Sequence, residues 1–196
     1  MHASDGLHPV GQIANGCLDG EKSFPNMPEG IFVTAVSIDP AIFRQVLGSY
    51  PTGVCVISAL DETDKPVGMV VGTFTSVSLD PPLVGFLPDK KSSSWPRIAA
   101  AGHFCVNVLA SDQQDICRQI AGRGEEKFIG VDFEISDRRL PVIANAIARI
   151  ECSIHSITDA GDHYFVLGNV LSLETTREGD PMLFYRGRYG SFVDLI

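Results

Sequence analysis

A chain of 196 residues, 44% hydrophobic and 20% charged, is long enough for one sizeable core and makes no demand for two domains. Its formal net charge of −9, with 15 basic residues scattered along the chain, excludes the broad basic face that nucleic acid or an anionic membrane requires. Five cysteines, Cys17, Cys55, Cys105, Cys117 and Cys152, are odd in number and widely spaced, which argues against a disulfide framework or a CxxC metal site and for a reducing compartment. The N-terminus has no basic start followed by an apolar run, and no apolar stretch reaches membrane-spanning length, so a soluble, cytoplasmic protein is expected.

Residues 1–36 are rich in Gly, Pro, Asn and Asp without periodicity and read as a flexible arm, leaving 37–196 as the folded domain. Asp39 followed by Pro40 is an N-cap ahead of a first-turn proline, and Ile42, Phe43, Val46 and Leu47 recur at helical spacing until Gly48. Strand signals follow at 53–60, 67–79 and 82–87, with a turn at 61–66. Ser94 and Pro96 open a short helix, 103–110 reads as strand, and Ser111 with Gln114 supplies a capping box for a helix ending at Gly122. Alternation of Ala148, Ile150, Cys152 and Ile154 marks a strand with one apolar face; a sharp turn at 159–162 joins it to a strand beginning at His163, and 183–192 closes the chain. Strands dominate, helices are few and short, and there is no regular βαβ alternation. The expected fold is therefore mainly β, an antiparallel barrel with appended helices.

Residues 68–96 raise a separate question, because Thr73, Thr75, Ser76, Ser78, Ser92, Ser93 and Ser94 sit within what otherwise reads as buried strand. Continued as one pleat, 70–79 carries no charge on either face. A fully buried strand favours branched aliphatics and a solvated one carries Lys or Glu. Small hydroxyls beside Gly72 instead suit a flat, polar-edged ligand lying close to the backbone. The following loop, with Lys90, Lys91 and three serines ahead of a helix start, suits an anion. Strand and cap propensities account for the same residues, so this segment taken alone leaves both readings open.

Several ordered motifs together resemble the flavin reductase family with the FMN-binding split-barrel fold. They are FRQVLGSYPTGVCVIS, GMVVGTFTSVSLDPPLV, KKSSSWPRIAAAGHFCVNVL, EEKFIGV, the triplet Gly161, Asp162, His163, and LFYRGRYGSF, and the likeness runs from about residue 39 to the end. It is strongest to the small reductase components of two-component flavin-dependent monooxygenases. The resemblance implies a homodimer of split β-barrels that uses NADH or NADPH to reduce FMN or FAD for a partner oxygenase. It implies that Pro66, Val67, Gly68, Met69 and Val70, with Gly72 and Thr73, meet the flavin ring and ribityl chain, and that Ser76 and the loop Pro88, Lys90, Lys91, Ser92, Ser93 and Ser94 approach the phosphate. Lys127 and Phe128 match the family's KF pair. Relatives often have Thr at the position of Val70 and Ser at that of Thr73, and commonly read Ala-Arg-Phe where this chain has Arg118, Gln119 and Ile120, so Gln119 stands where an arginine is usual.

The triplet at His163 is associated in the family with the nicotinamide nucleotide, which makes His163 the expected catalytic-site residue, as a nucleotide ligand rather than a general acid. Tyr185, Arg186, Arg188 and Tyr189 are candidates for the rim of that pocket or, equally, for a dimer surface. Two rivals come from other classes. Pyridoxamine-phosphate oxidase chemistry would need basic residues gathered at a second phosphate, and a non-catalytic flavin-binding module would have no need of the nicotinamide triplet. The five histidines show no metal-ligand spacing with Cys or carboxylates.

Overall fold

The computed structural model describes residues 37–124 and 126–195; the arm expected over 1–36 lies outside the described residues. Helix α1 (Pro40–Leu47) starts as its cap dictates, with Asp39 Oδ1 accepting from Ala41 N at 2.7 Å. Then come β1 (Thr52–Gly53), β2 (Cys55–Leu60), β3 (Pro66–Val71), β4 (Thr75–Leu79), β5 (Pro82–Phe86), α2 (Trp95–Ala101) and β6 (His103–Val108). A 3₁₀ turn leads into α3 (Gln114–Ala121), followed by β7 (Phe133–Ile135), β8 (Pro141–Ile143), the long pair β9 (Ala148–Ala160) and β10 (His163–Thr175), and a terminal hairpin of β11 (Leu183–Tyr185) and β12 (Arg188–Gly190).

Seven strands form one antiparallel sheet in the order β3-β2-β6-β9-β10-β5-β4. β3 and β4 are neighbours in sequence yet occupy opposite edges, separated only by Gly72, Thr73 and Phe74. Four residue steps of extended chain reach at most about 14 Å. The sheet therefore curls until its two edges nearly meet, and the result is a barrel left open along one seam. This is the expected split barrel, mainly β with a few short helices.

The single strand expected over 67–79 is thus two strands. Thr73 Oγ1 accepts from Leu87 N at 3.0 Å and lies 3.4 Å from Leu87 O, which turns the chain out of the β3 register toward β5. Gly72 is required at the break, since a Cβ there would stand 2.7 Å from Thr52 Oγ1. The common pleat read across 70–79 does not exist. The capping of α3 also differs: Gln113, not Gln114, bonds back, its Oε1 accepting from Ala110 N at 3.1 Å.

Two cores lie on opposite faces of β2. Cys55, Ile57 and Ala59 join Phe86, Trp95, Ile98 and Phe104 inside the barrel, where Phe86 meets Trp95 and Phe104 edge-on at 5.7 and 5.2 Å. Val54 and Val56 pack outward with Leu109, Cys117, Ile120 and Phe128 beneath α3. Between them a buried polar clamp holds β2, β6 and β8 together: Asn107 Nδ2 donates to Val56 O and Ser58 Oγ, Ser58 Oγ donates to Pro141 O at 2.6 Å, and Ile143 N donates to Asn107 Oδ1. Gly168 on β10 faces the barrel interior, and a Cβ there would lie 2.6 Å from the Phe104 ring. Gly168→Ala is accordingly expected to destabilise the apo-protein by about 1–3 kcal/mol through overpacking, measured as a lowered midpoint in urea.

Candidate active site

The segment expected to hold a phosphate and the triplet expected to meet a nicotinamide nucleotide are bonded to each other. Lys90 N donates to Asp162 O and Tyr164 N donates to Pro88 O, both at 3.0 Å, and Asp89 pairs with His163 as an isolated bridge. The turn that makes this junction depends on Gly161 at φ 68°, a left-handed conformation that admits glycine at no cost. His163 Nδ1 lies 2.8 Å from Asp162 Oδ1. A carboxylate can only accept, so Nδ1 carries the proton and Nε2 is the nitrogen left for a ligand. The same contact holds the Asp162 carboxyl below its ordinary range. Lys90 reaches across to Asp159 at 2.5 Å and lies 5.1 Å from the Tyr164 ring centroid, and the Asp159 bond raises its pKa. Lys91, by contrast, donates only its backbone N–H, to Asp89 Oδ1, and its ammonium forms no ion pair among the described residues.

The three serines divide their work. Ser92 Oγ accepts from Trp95 N at 3.2 Å and is the side-chain cap of α2, the role the sequence suggested for Ser94. Ser94 is buried and accepts from Lys127 Nζ at 3.0 Å. Ser93 is exposed and its hydroxyl makes no hydrogen bond among the described residues. Ser76, expected near the same loop, sits on β4 opposite Val84; it is Thr73 that is tied to the loop's start at Leu87.

Lys127 joins this junction to a second group. Gln119 Nε2 donates to Lys127 O at 3.1 Å and to Ile129 O, fixing the 127–129 loop so that Phe128 packs on Gly68, where a Cβ would stand 2.9 Å from its ring. The Gln119 amide is therefore committed to the loop, and Phe128 belongs to the outer core. Burial, reinforced by the neighbouring Arg97, lowers the Lys127 pKa. Val67 and Met69 are buried in the barrel, Gly68 meets Phe128, and Val70 packs on the outer core, so both faces of β3 are covered. What β3 offers a ligand is its edge: among the described residues only β2 pairs with it, leaving alternate backbone N–H and C=O groups along 66–71 without a strand partner there. Tyr189 packs on the same outer core as Phe128 and Val70, its hydroxyl 3.4 Å from Cys117 Sγ and its ring 5.3 Å from that of Phe184.

Arg97 and Asp61 escaped the sequence reading. Arg97 pairs with Asp61 at 2.5 Å, and Asp61 also accepts from Thr63 N, Thr63 Oγ1 and Lys65 N. This staple locks α2, and with it the serine loop, to the β2–β3 turn. The only signal available was a lone arginine in an otherwise apolar helix. A phosphate-tailed planar ligand is matched by the donor set present, namely the exposed Ser93 hydroxyl, the uncommitted Lys91, and backbone donors on the β3 edge.

The model of the flavin reductase like domain matches residues 47–192. A flavin reductase of Pseudomonas putida is 53% identical over 157 residues, covering 80% of this chain and 92% of the relative. The reductase subunit HsaB of a flavin-dependent monooxygenase of Rhodococcus jostii is 46% identical, with 80% of each chain covered. Among solved structures, the NADH:FAD oxidoreductase of Streptomyces globisporus in complex with NAD and FAD fragments superposes with a TM-score of 0.73 at 36% identity, covering 81% of this chain and 98% of that one. The chain belongs to the flavin reductase family.

Two outcomes follow from the geometry. Lys127→Met leaves the buried Ser94 hydroxyl without its donor, so despite removing a cation that burial disfavours it should destabilise the protein by about 1–3 kcal/mol, read as a lowered midpoint in urea. The hydrogen bonds from Arg97 and the turn depress the Asp61 pKa, so its stabilisation is complete above its unfolded value of about 3.9 and is lost as pH falls below it. The melting-temperature gap between wild type and Asp61→Asn should stay constant from neutral pH to about 5 and narrow below about 4.

Proposed function

We propose that the protein is an NAD(P)H:flavin oxidoreductase that supplies reduced FMN or FAD to a partner monooxygenase. The observation that carries this reading is the hydrogen-bonded union of the Pro88–Ser94 loop with the turn at Gly161, Asp162 and His163, which brings the phosphate-type and nucleotide-type segments to one place. When bound, the flavin takes a hydride from the nicotinamide, so that NAD(P)H and one proton are consumed and NAD(P)⁺ and reduced flavin are released.

The chain's own groups bind and orient. Lys91 and Ser93 meet the flavin phosphate, the free edge of β3 from Pro66 to Val70 hydrogen-bonds the ring's polar edge, and Gly72 and Thr73 form the bend beside it. His163 holds the nicotinamide nucleotide through Nε2, with Asp162 fixing the ring's tautomer and direction. Lys90, committed to Asp159, secures the turn to the loop. The working unit is a homodimer. In support, α1 turns Ile42, Phe43, Val46 and Leu47 outward, each more than half exposed, and Leu79 and Leu173 are exposed on β4 and β10. A cytoplasmic location accords with Cys55, Cys105, Cys117 and Cys152, all buried and unpaired. Burial raises their thiols, those of Cys55, Cys105 and Cys152 to about 12. No described helix is long and apolar enough to cross a membrane.

The purified protein should oxidise NADH or NADPH only when FMN or FAD is supplied; oxidation indifferent to added flavin would overturn the reading. His163→Ala should raise the Michaelis constant for the nicotinamide nucleotide roughly tenfold to a hundredfold, the cost of one or two bonds to a polar or charged group. Flavin affinity, measured by fluorescence titration, should barely change. Equal losses in both would assign His163 to the fold or to the flavin.

A further inference from the structure

Helix α2, which the serine loop enters, is seven residues long, WPRIAAA, and Arg97 is its one charged side chain. Its buried residues, Trp95 and Ile98, pack into the barrel core. Apolar contact of this kind is non-directional and does not by itself fix how a short helix is rotated or shifted over the core. Arg97 supplies the missing direction. Its Nε and Nη2 both reach Asp61 Oδ2, at 3.2 and 2.5 Å, while Asp61 Oδ1 accepts from Thr63 N, Thr63 Oγ1 and Lys65 N at 2.9, 2.8 and 3.0 Å. Both oxygens of one carboxylate are thus fully occupied.

The pair joins two segments that are otherwise held by different elements. On one side, Asp61 directly follows β2, its N–H donates to Lys65 O, Asp64 N donates to Asp61 O, and Pro66 opens β3 one residue beyond Lys65. On the other side, Ser92 Oγ accepts from Trp95 N and Ser94 O accepts from Ile98 N, so the last residues of the serine loop move with the first turn of α2. The start of that loop is fixed elsewhere, by the bonds of Pro88 and Lys90 to the turn at Gly161. The Asp61–Arg97 pair therefore connects the beginning of the β3 edge to the end of the serine loop.

We propose that Asp61 and Arg97 are positioning residues that set the spacing between the β3 edge and the serine loop, and thereby how strongly the protein prefers a phosphorylated flavin to riboflavin. Neither touches the ligand; the pair acts through Lys91 and Ser93, the loop residues with uncommitted side chains. A ligand that engages two places gains from the second only where their separation matches its own span. FMN and FAD carry both a ring and a phosphate and reach both segments, whereas riboflavin has no phosphate and engages the edge alone. A change in spacing therefore costs the first two affinity and leaves the third as it was. The inference rests on the flavin placement given under the proposed function, with the ring at the β3 edge and the phosphate at the loop.

The test is fluorescence titration of the full chain with FMN and with riboflavin, in the absence of nicotinamide nucleotide, for the wild type, Asp61→Asn and Arg97→Gln. Asparagine at 61 keeps an acceptor for Thr63 and Lys65 while removing the charge that holds Arg97, and the two substitutions reach the pair from different elements, so the test survives if one variant misfolds. The wild type should bind FMN at least about tenfold more tightly than riboflavin. Each variant should weaken FMN roughly tenfold and leave riboflavin within about twofold. The double variant should lose no more than either single one, because the pair acts as a unit. Arg97→Lys, which keeps the charge but not the fork, should restore part of the FMN preference. Equal losses for FMN and riboflavin would make the pair structural only and overturn the proposal, as would unchanged FMN affinity in both variants, additive losses in the double variant, or a wild type that does not distinguish the two flavins. Flavin-dependent NADH oxidation persisting in those cases would leave the reductase reading standing, whereas its absence in the wild type would remove that reading independently.

Discussion

The three-residue link between Val71 and Thr75 is the constraint on which the rest of the molecule depends. By joining the two edge strands of a seven-stranded sheet through Gly72, Thr73 and Phe74, it forces the sheet to curl and leaves one seam unpaired. An open seam is ordinarily a liability, because unpaired backbone groups attract other strands. Here the same seam provides hydrogen-bonding groups along β3 while the side chains of that strand remain in the two cores. Stability and ligand access are thereby separated: one strand's side chains hold the barrel and its outer edge remains available for recognition.

A second economy appears at the serine loop. Ser92 caps α2, Ser94 receives Lys127, and the Arg97–Asp61 pair fixes the helix that the loop enters. The loop is consequently held from below by three separate elements before any ligand arrives. Its remaining polar side chains, the exposed Ser93 hydroxyl and the Lys91 ammonium, have no hydrogen-bond or ion-pair partner among the described residues. The turn at Gly161 docks on this preformed loop through main-chain bonds, so the relative position of the two segments does not depend on any flexible side chain.

Electrostatics follow the same logic on a larger scale. Among the described residues Lys90 and five of the ten arginines pair with carboxylates, whereas the Lys91 ammonium on the loop forms no ion pair.

The sequence by itself determined the class of the fold and named the segments from which the site is proposed. Period-two alternation in 148–154, the cap at Asp39, and the Gly161 turn are local signals, and each produced the element expected of it. The motif strings identified the family because several ordered matches are jointly specific. The break at Gly72 was not legible, because Val71 through Leu79 alternate as a continuous strand would. Only the long-range bond from Thr73 to Leu87 and the close approach of Thr52 stop it. Nor could local pattern reveal that Ser92 rather than Ser94 caps α2, that Gln119 is spent on loop carbonyls, or that Asp61 and Arg97, 36 residues apart, form a staple. Those are decisions of tertiary structure: hydrogen bonds and ion pairs between distant segments carry no periodicity, so they exist only once the sheet has curled and brought their partners together.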